Sequence, residues 1–247
     1  MSNKICVITG ATDGIGKRTA EVLAGKGFDL GIVGRNKRKG RAVVKDIFDK
    51  TGSEKIHYFN ANLSLMSEVK RVASEIKEKF QKIDVLLNNV GAAFFNESYT
   101  SEGFESTFAL NHLSYFLLTH ILLENMDTEN GSRIINVASD AHFGVDLEFD
   151  DVQSIKSYGG YQNYKKSKLM NVLFSYELAE RLKDKPITVN ALHPGFVASK
   201  FGHNNSGLKV WLLKLSQKLK AINVNDGGII KPKVAEPAKV PMVIFSG

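Results

Sequence analysis

The feature that most constrains the fold of this chain is an alternation of short apolar runs with longer amphipathic segments. The runs are rich in β-branched and aromatic residues, and in the segment over residues 65–80 apolar side chains recur every three or four positions. Strands that alternate with helices form parallel sheets covered on both faces. The sequence therefore predicts the α/β class, with a doubly wound parallel sheet of six or seven strands. The six predicted strands cover residues 4–9, 29–33, 55–60, 83–88, 133–138 and 187–192.

The composition is typical of a globular protein and excludes several other classes. The chain is 43% hydrophobic and 24% charged, with a net charge of +7. Its single cysteine, Cys6, excludes an intrachain disulfide framework and favours a reducing compartment. No apolar run approaches the roughly 18 residues that a membrane span needs. We therefore expect a cytoplasmic protein, which could also bind peripherally to a membrane surface.

The first predicted strand runs directly into a glycine-rich turn that suits a phosphate group. The turn reads TGATDGIG over residues 9–16 and precedes a predicted helix that ends near Gly25. Its glycines permit a close approach of backbone amides to a pyrophosphate, and the helix N-terminus adds positive potential. The spacing lacks the GK[ST] ending of a P-loop. The alternative is a glycine-rich turn that binds no ligand. The residues predicted to contact the cofactor here are Gly10, Thr12, Asp13, Gly14, Ile15 and Gly16.

The end of the second predicted strand indicates which nucleotide binds. An Asp or Glu at this place hydrogen-bonds the free ribose 2′-hydroxyl of NAD(H). This chain instead has Gly34 and Arg35, followed by Asn36 and a basic run over residues 37–41. A guanidinium pairs well with a 2′-phosphate. The sequence therefore predicts NADP(H) as the cofactor, with Arg35 and Asn36 at its phosphate. The alternative is that the basic run is only an exposed helix start.

Polar residues recur where the later strands end, and their order resembles the short-chain dehydrogenase/reductase family. The motifs are TGxxxGxG at 9–16, NNxG at 88–91, Asn111 in a helix, Ser139 at a strand end, YxxxK at 164–168 and PG at 194–195. The resemblance covers about residues 3–200, and residues 164–174 are most similar to the retinol dehydrogenase-like branch. It implies one Rossmann-type domain over residues 1–247 that transfers a hydride between NADP(H) and an alcohol or carbonyl group.

The chemistry of Tyr164 can be argued from its neighbours. Tyrosine has a reference pKa of about 10 and is a weak base at neutral pH. Lys168 lies one helical turn further on, so its ammonium, together with the positive charge of an oxidised nicotinamide, is expected to lower the pKa of Tyr164. Tyr164 would then exchange a proton with a substrate oxygen that Ser139 also hydrogen-bonds. The resemblance implies that Lys168 also contacts the nicotinamide ribose and that Asn111 holds a water relaying protons to Lys168.

A second YxxxK motif competes with the first. It places Tyr161 and Lys165 at the same spacing. The family commonly has Ser directly before the lysine, and Ser167 precedes Lys168 whereas Tyr164 precedes Lys165. We therefore predict Tyr164 and Lys168 as the catalytic pair and expect Tyr161 to line the pocket or pack.

Further cofactor contacts are implied by the resemblance alone. Asn62 stands where the family often has Asp beside the adenine, which weakens that contact but keeps a hydrogen-bonding side chain. Ser199 takes the place of a frequent Thr. The implied contacts are Asn62 and Leu63 at the adenine, Asn89 and Gly91 at the adenine ribose, and Pro194, Gly195, Val197 and Ser199 at the nicotinamide.

Metal and nucleic-acid sites are not expected. His112, His142 and His193 lack carboxylate or cysteine partners at ligand spacing in the sequence, so we predict no metal. The basic run at 37–41 is too local for a nucleic-acid surface.

The resemblance weakens after residue 200. Residues 200–222 are predicted to form a helical segment that covers the substrate, with apolar residues on one face of 208–222 and lysines elsewhere. An apolar cover suits a lipophilic carbonyl substrate. Packing on the domain and peripheral contact with a membrane through 208–222 are both consistent with this pattern. Residues 223–247 form an atypical or shortened tail where the family has a further helix and a seventh strand.

These features together predict an NADP(H)-dependent oxidoreductase. The expected substrate is a small retinoid-, steroid- or fatty-aldehyde-like molecule, and the protein is expected to be a monomer or a homodimer. The alternative from another class is a catalytically inactive NADP(H)-binding sensor or scaffold, against which the complete set of Asn111, Ser139, Tyr164 and Lys168 argues. A nucleotide-sugar epimerase is disfavoured because its usual glycine spacing, TGxxGxxG, is absent.

Overall fold

A six-stranded parallel sheet forms the centre of the molecule, in a computed structural model that describes residues 4–195. The strand order is β3-β2-β1-β4-β5-β6. The strands are β1 (Ile5–Thr9), β2 (Asp29–Gly34), β3 (Ile56–Asn60), β4 (Val85–Asn88), β5 (Ser132–Val137) and β6 (Ile187–Leu192). Each lies within about two residues of its predicted bounds, and the predicted fold class is confirmed.

Helices connect the strands and cover both faces of the sheet. The helices are α1 (Gly14–Gly25), α2 (Lys37–Thr51), α3 (Met66–Lys79), α4 (Ser106–Phe108), α5 (Ser114–Leu122) and α6 (Gly160–Arg181). A π-helical turn, Ala109–Leu113, joins α4 to α5 without a break, and the 3₁₀ turn Leu123–Asn125 follows α5. Two further 3₁₀ turns, Asp140–His142 and Phe149–Asp151, lie between β5 and α6.

Alternation along the strands divides the core into two layers. On one face, Val7 and Leu86 pack with side chains of α3 and α5, such as Val72 and Leu118. On the other face, Cys6 and the strand neighbours on its side pack with α1 and α2. Strands buried on both faces have almost continuous apolar sequences, which explains why β1 and β2 were recognisable as short runs. Burial also raises the pKa of the Cys6 thiol, so this cysteine is protonated and inert.

The strand order creates the crevice in which ligands of such sheets bind. β1 lies between β2 and β4, so the chain leaves β1 toward one edge and later returns to the other side of it. In open α/β sheets, ligands bind beyond the carboxyl ends of the strands at this reversal of strand order. The turns after β1, β2, β4 and β5 are therefore where the predicted site residues should meet.

Within residues 4–195, no helix combines the length and the apolar character that crossing a bilayer requires. The predicted cover at 200–222 and the tail at 223–247 lie outside the described residues.

Candidate active site

The turn after β1 forms a cradle made of backbone. Gly10 has φ +68° and Gly14 has φ +52°, which other residues rarely adopt. A Cβ on Gly16 would lie 2.5 Å from Asn89 Nδ2 and 2.6 Å from the carbonyl oxygen of Gly10, so no larger residue fits. Asp13 caps α1 by accepting a hydrogen bond of 2.9 Å from the amide of Gly14. The cradle thus presents backbone and the positive end of α1 to a ligand, as a pyrophosphate requires.

The cradle is held by the residues that follow β4. The side chain of Asn89 donates to the carbonyl oxygens of Thr9 at 2.9 Å and Gly10 at 3.3 Å. The hydroxyl of Thr9 accepts hydrogen bonds from the amides of Asn89 and Val90. We expected Asn89 beside the adenine ribose; the structure places its amide group beneath the cradle. Asn89 thus supports the glycine turn, and its contact with the adenine ribose stays a prediction.

The end of β2 faces the cradle. A Cβ on Gly34 would lie 2.6 Å from the side chain of Thr12, so the glycine permits this contact. Arg35 follows and is exposed, and Asn36 caps α2 by accepting a hydrogen bond from the amide of Lys39. Lys39 extends back to the cradle, with its Nζ 2.6 Å from Asp13 Oδ2. Arg35 therefore takes the sequence position at which an NAD(H)-binding site would have an acid, and Lys39 lies at the cradle, paired with the carboxylate of Asp13.

The four predicted catalytic side chains meet at the carboxyl ends of β4 and β5. Tyr164 and Lys168 lie one turn apart in α6 and are 8% and 3% exposed. A side-chain hydrogen bond joins Ser139 to Tyr164. The Nζ atom of Lys168 lies 5.8 Å from the centre of the Tyr164 ring and donates to the carbonyl oxygen of Val137 at 2.8 Å. Gly91 lies against the same group, since a Cβ there would be 3.4 Å from Lys168 Nζ.

The competing motif lies outside this cluster. Tyr161 is 56% exposed, and its ring is nearly parallel to that of Tyr164, with the ring centres 6.2 Å apart. Lys165 Nζ donates to the carbonyl oxygen of Gly144 at 3.3 Å. Tyr161 therefore flanks the site, and the pair next to Ser139 is Tyr164 with Lys168.

Asn111 is positioned by the π-helical turn. Glu105 caps α4 with hydrogen bonds from the amides of Thr107 at 2.9 Å and Phe108 at 2.7 Å. The Asn111 side chain donates to the carbonyl oxygen of Ala92 and to Ser167 Oγ, and accepts from the amide of Ala92. Its backbone carbonyl accepts from Asn171 Nδ2 at 2.9 Å. Asn111 thus ties the turn after β4 to α6, and its predicted role in a proton relay stays a prediction.

Burial shifts the pKa values of both Tyr164 and Lys168. Burial raises the pKa of Tyr164 to about 12, an effect that the hydrogen bond with Ser139 partly offsets and that Tyr161 reinforces. Burial also lowers the pKa of Lys168 to about 7. In the chain without a cofactor, desolvation disfavours the charged form of both groups and outweighs any effect of Lys168 on Tyr164. The lowered pKa expected from Lys168 together with an oxidised nicotinamide stays a prediction.

The remaining predicted residues lie near this edge of the sheet. Asn62 Oδ1 accepts hydrogen bonds from the amide and hydroxyl of Ser64, and Leu63 beside it is buried. Gly195, after Pro194, has φ +78° and donates from its amide to His193 Nδ1 at 3.3 Å. Val197 and Ser199 lie outside the described residues.

The histidines near the site make short contacts of their own. His193 Nε2 lies 3.1 Å from Asp140 Oδ1, and His142 Nδ1 lies 2.6 Å from the carbonyl oxygen of Ser139. Sequence spacing did not indicate the partner of His193. Over residues 4–195, no group of three or more His, Cys, Asp or Glu side chains is arranged to hold a metal ion.

Comparison with known proteins gives consistent matches. The family model described as short chain dehydrogenase matches residues 4–207. Retinol dehydrogenase 11 from Homo sapiens is 37% identical over 86% of this chain and 67% of its own length. Polyprenol dehydrogenase from Homo sapiens is 34% identical over 88% of this chain and 66% of its own length. The chain thus spans about two thirds of these relatives.

A solved structure supports the same fold. The short-chain dehydrogenase from Sphingobium yanoikuyae in complex with NADPH superimposes with a TM-score of 0.73. It is 24% identical and covers 92% of this chain and 81% of its own.

Proposed function

This chain belongs to the short-chain dehydrogenase family, and we propose that it is an NADP(H)-dependent oxidoreductase that interconverts a lipophilic alcohol and its carbonyl compound. An oxidoreductase with a nicotinamide cofactor follows from the family. NADP(H), the lipophilic substrate and the roles of individual residues are the proposed parts.

The observation that carries the proposal is the meeting of Ser139, Tyr164 and Lys168 beside the glycine cradle. Tyr164, which is buried near the start of α6, is hydrogen-bonded to Ser139 at the end of β5. A carbonyl oxygen within reach of both hydroxyls would receive two hydrogen bonds, which stabilise the negative charge that develops on it. A nicotinamide cofactor whose pyrophosphate is held at the cradle would supply or accept the hydride.

The pKa of Tyr164 favours the direction of reduction. Because burial raises this pKa to about 12, the phenol keeps its proton at neutral pH and can donate it to a carbonyl oxygen. Lys168, with a pKa lowered to about 7, can return a proton to the site near neutral pH. Oxidation of an alcohol needs the phenolate instead, so its rate is expected to rise with pH.

Arg35 and Lys39 support the choice of NADP(H). Both are cationic and lie next to the cradle, and no acidic side chain follows β2 before Asp46. A 2′-phosphate would form charge-assisted hydrogen bonds there. The matched retinol and polyprenol dehydrogenases have names that indicate apolar alcohols, which supports a lipophilic substrate. Exposed aromatic rings beside the site, Phe143 and Tyr161, offer apolar contact to such a molecule.

A titration with NADPH and NADH, followed by nicotinamide fluorescence, tests the proposal. We expect tighter binding of NADPH and its oxidation when long-chain, isoprenoid or aromatic aldehydes are added. The Tyr164→Phe variant is the control, and it should bind NADPH without oxidising it. Binding without turnover of any carbonyl compound would instead support the sensor or scaffold alternative. A chain that binds neither nucleotide would contradict the proposal as a whole.

A further inference from the structure

The carbonyl group of Gly34, at the end of β2, accepts three hydrogen bonds. The donors are Tyr58 Oη at 2.6 Å, Asn60 Nδ2 at 3.0 Å and the backbone amide of Ala61 at 3.1 Å. Asn60 Nδ2 also donates to Tyr58 Oη at 3.0 Å. A carbonyl oxygen has two lone pairs, so a third donor shows an unusual concentration of hydrogen-bonding groups at one peptide. Only the bond from Ala61 belongs to ordinary sheet pairing.

These donors fix the orientation of the Gly34–Arg35 peptide. In a trans peptide the C=O and N–H bonds point in opposite directions. Because the carbonyl of Gly34 faces β3, the amide of Arg35 faces the side of β1 and its cradle. Contacts on that side support this, since Val33 O accepts from Gly10 N at 3.0 Å and from Ala11 N at 3.3 Å. Hydrogen bonds on a carbonyl also strengthen the donor at the other end of the same peptide.

The Tyr58 ring is held in place by α2. A Cβ on Gly40 would lie 2.1 Å from Cζ of Tyr58, so the ring lies directly on this glycine of α2. Burial raises the pKa of Tyr58, which keeps its hydroxyl protonated and able to donate. The ring therefore links β3 to the helix that begins beside Arg35 and carries Lys39. Neither the glycine motif nor the basic run predicts this contact.

We infer that Tyr58 and Asn60 are positioning residues for cofactor selection. Their hydrogen bonds to the carbonyl of Gly34 orient the peptide that carries Arg35, so that its amide and side chain can meet the 2′-phosphate of NADP(H). This inference rests on the proposed preference for NADP(H). Both side chains are bonded to the far side of the peptide, so they act through Arg35 and not by touching the phosphate. NADH has no 2′-phosphate and gains nothing from this arrangement.

Dissociation constants for NADPH and NADH, measured by nicotinamide fluorescence, test the inference. Tyr58→Phe keeps the ring on Gly40 and removes only the hydroxyl, and Asn60→Ala removes the second donor. We expect each variant to weaken NADPH binding about threefold to tenfold while NADH binding stays within twofold. The turnover number at saturating NADPH should not change, because the cluster at Tyr164 is untouched.

Tyr158→Phe is the matched control. The Tyr158 hydroxyl likewise donates to backbone carbonyls, those of Phe94 at 2.7 Å and Asn96 at 2.8 Å, but these follow β4 and not β2. This variant should lose a similar amount of thermal stability and keep the wild-type ratio of NADPH to NADH affinity. The ratio therefore separates positioning from general destabilisation.

Two results would overturn the inference, and only the second would also overturn the proposed cofactor. If Arg35→Ala lowers the NADPH to NADH ratio while Tyr58→Phe and Asn60→Ala leave it unchanged, the two residues are structural only and the proposed cofactor is still supported. If the wild-type chain binds NADPH no better than NADH, the proposed cofactor and the inference both fail.

Discussion

Replacing Lys168 with Met should make the protein more stable at neutral pH and inactive. Lys168 is 3% exposed, and burial lowers its pKa from 10.5 to about 7. A depressed lysine pKa means that the unfolded chain binds a proton that the folded chain binds weakly, so folding carries a cost at low pH. The difference between 10.5 and about 7 corresponds to about 5 kcal/mol, at about 1.4 kcal/mol for each factor of ten. At pH 7 the folded lysine is still half protonated, so the cost there is about 4 kcal/mol. Met fills a similar volume without a charge.

The net gain is smaller, because Lys168→Met also removes the hydrogen bond to the carbonyl oxygen of Val137. That loss costs about 1–3 kcal/mol when the acceptor is left buried. We therefore expect the free energy of unfolding to rise by about 1–3 kcal/mol at pH 7.

The sign of the pH dependence follows from the same linkage. Wild-type stability should rise between pH 7 and pH 10, as the proton that only the unfolded chain holds is lost. The advantage of Lys168→Met should therefore shrink by about 3 kcal/mol between pH 6 and pH 9.

Urea unfolding at pH 6, 7.5 and 9 measures the free energy of unfolding of both chains and its dependence on pH. Lys165→Met is the control, since it removes a lysine from the surface side of the same helix, and it should change stability by less than about 0.5 kcal/mol. A Lys168→Met variant that is less stable at pH 7, or whose advantage is the same at all three pH values, would refute the argument that burial lowers the pKa of this lysine.

Three further changes probe the site. Tyr164→Phe should reduce turnover at least about a thousandfold with cofactor affinity within about threefold, whereas Tyr161→Phe should keep most of the activity in the same assay; the reverse result would assign catalysis to the other motif. Arg35→Ala should weaken NADPH about tenfold or more and NADH little, as fluorescence titration would show; equal effects would remove the basis for NADP(H). Gly16→Ala places a Cβ 2.5 Å from Asn89 Nδ2 and 2.6 Å from Gly10 O. Nucleotide binding should therefore be lost in calorimetry while the circular dichroism spectrum stays near that of the wild type. Full nucleotide affinity in this variant would contradict the assignment of the glycine turn as the cofactor site.

The strands and the glycine turn could be predicted because each is encoded by neighbouring residues. Fully buried parallel strands appear in sequence as apolar runs, and the TGxxxGxG spacing specifies a turn between a strand and a helix. The order of strands placed Ser139 near Tyr164 once the sheet was known to be parallel. The assignment of roles to these residues stays a prediction.

Features that depend on burial could not be obtained from spacing. The i, i+4 relation of Tyr164 and Lys168 suggested a lowered tyrosine pKa, but it carries no information on desolvation, which dominates. The three donors at the Gly34 carbonyl come from β3 and from Ala61 directly after it, more than twenty residues further along the chain. The pair of His193 with Asp140 similarly joins residues that no local motif connects.

The π-helical turn Ala109–Leu113 has a consequence for how this segment can change in evolution. A π-helical turn contains one more residue than the α-helical turn it replaces. Deleting that residue would restore a regular helix, but it would rotate Asn111 and the preceding turn by about 100° relative to α5. Asn111 would then lose Ala92 and Ser167 as partners. Single substitutions along this helix leave its register unchanged and can therefore be tolerated. A single-residue deletion between Glu105 and Ser114 should be selected against, even where every remaining side chain is conserved.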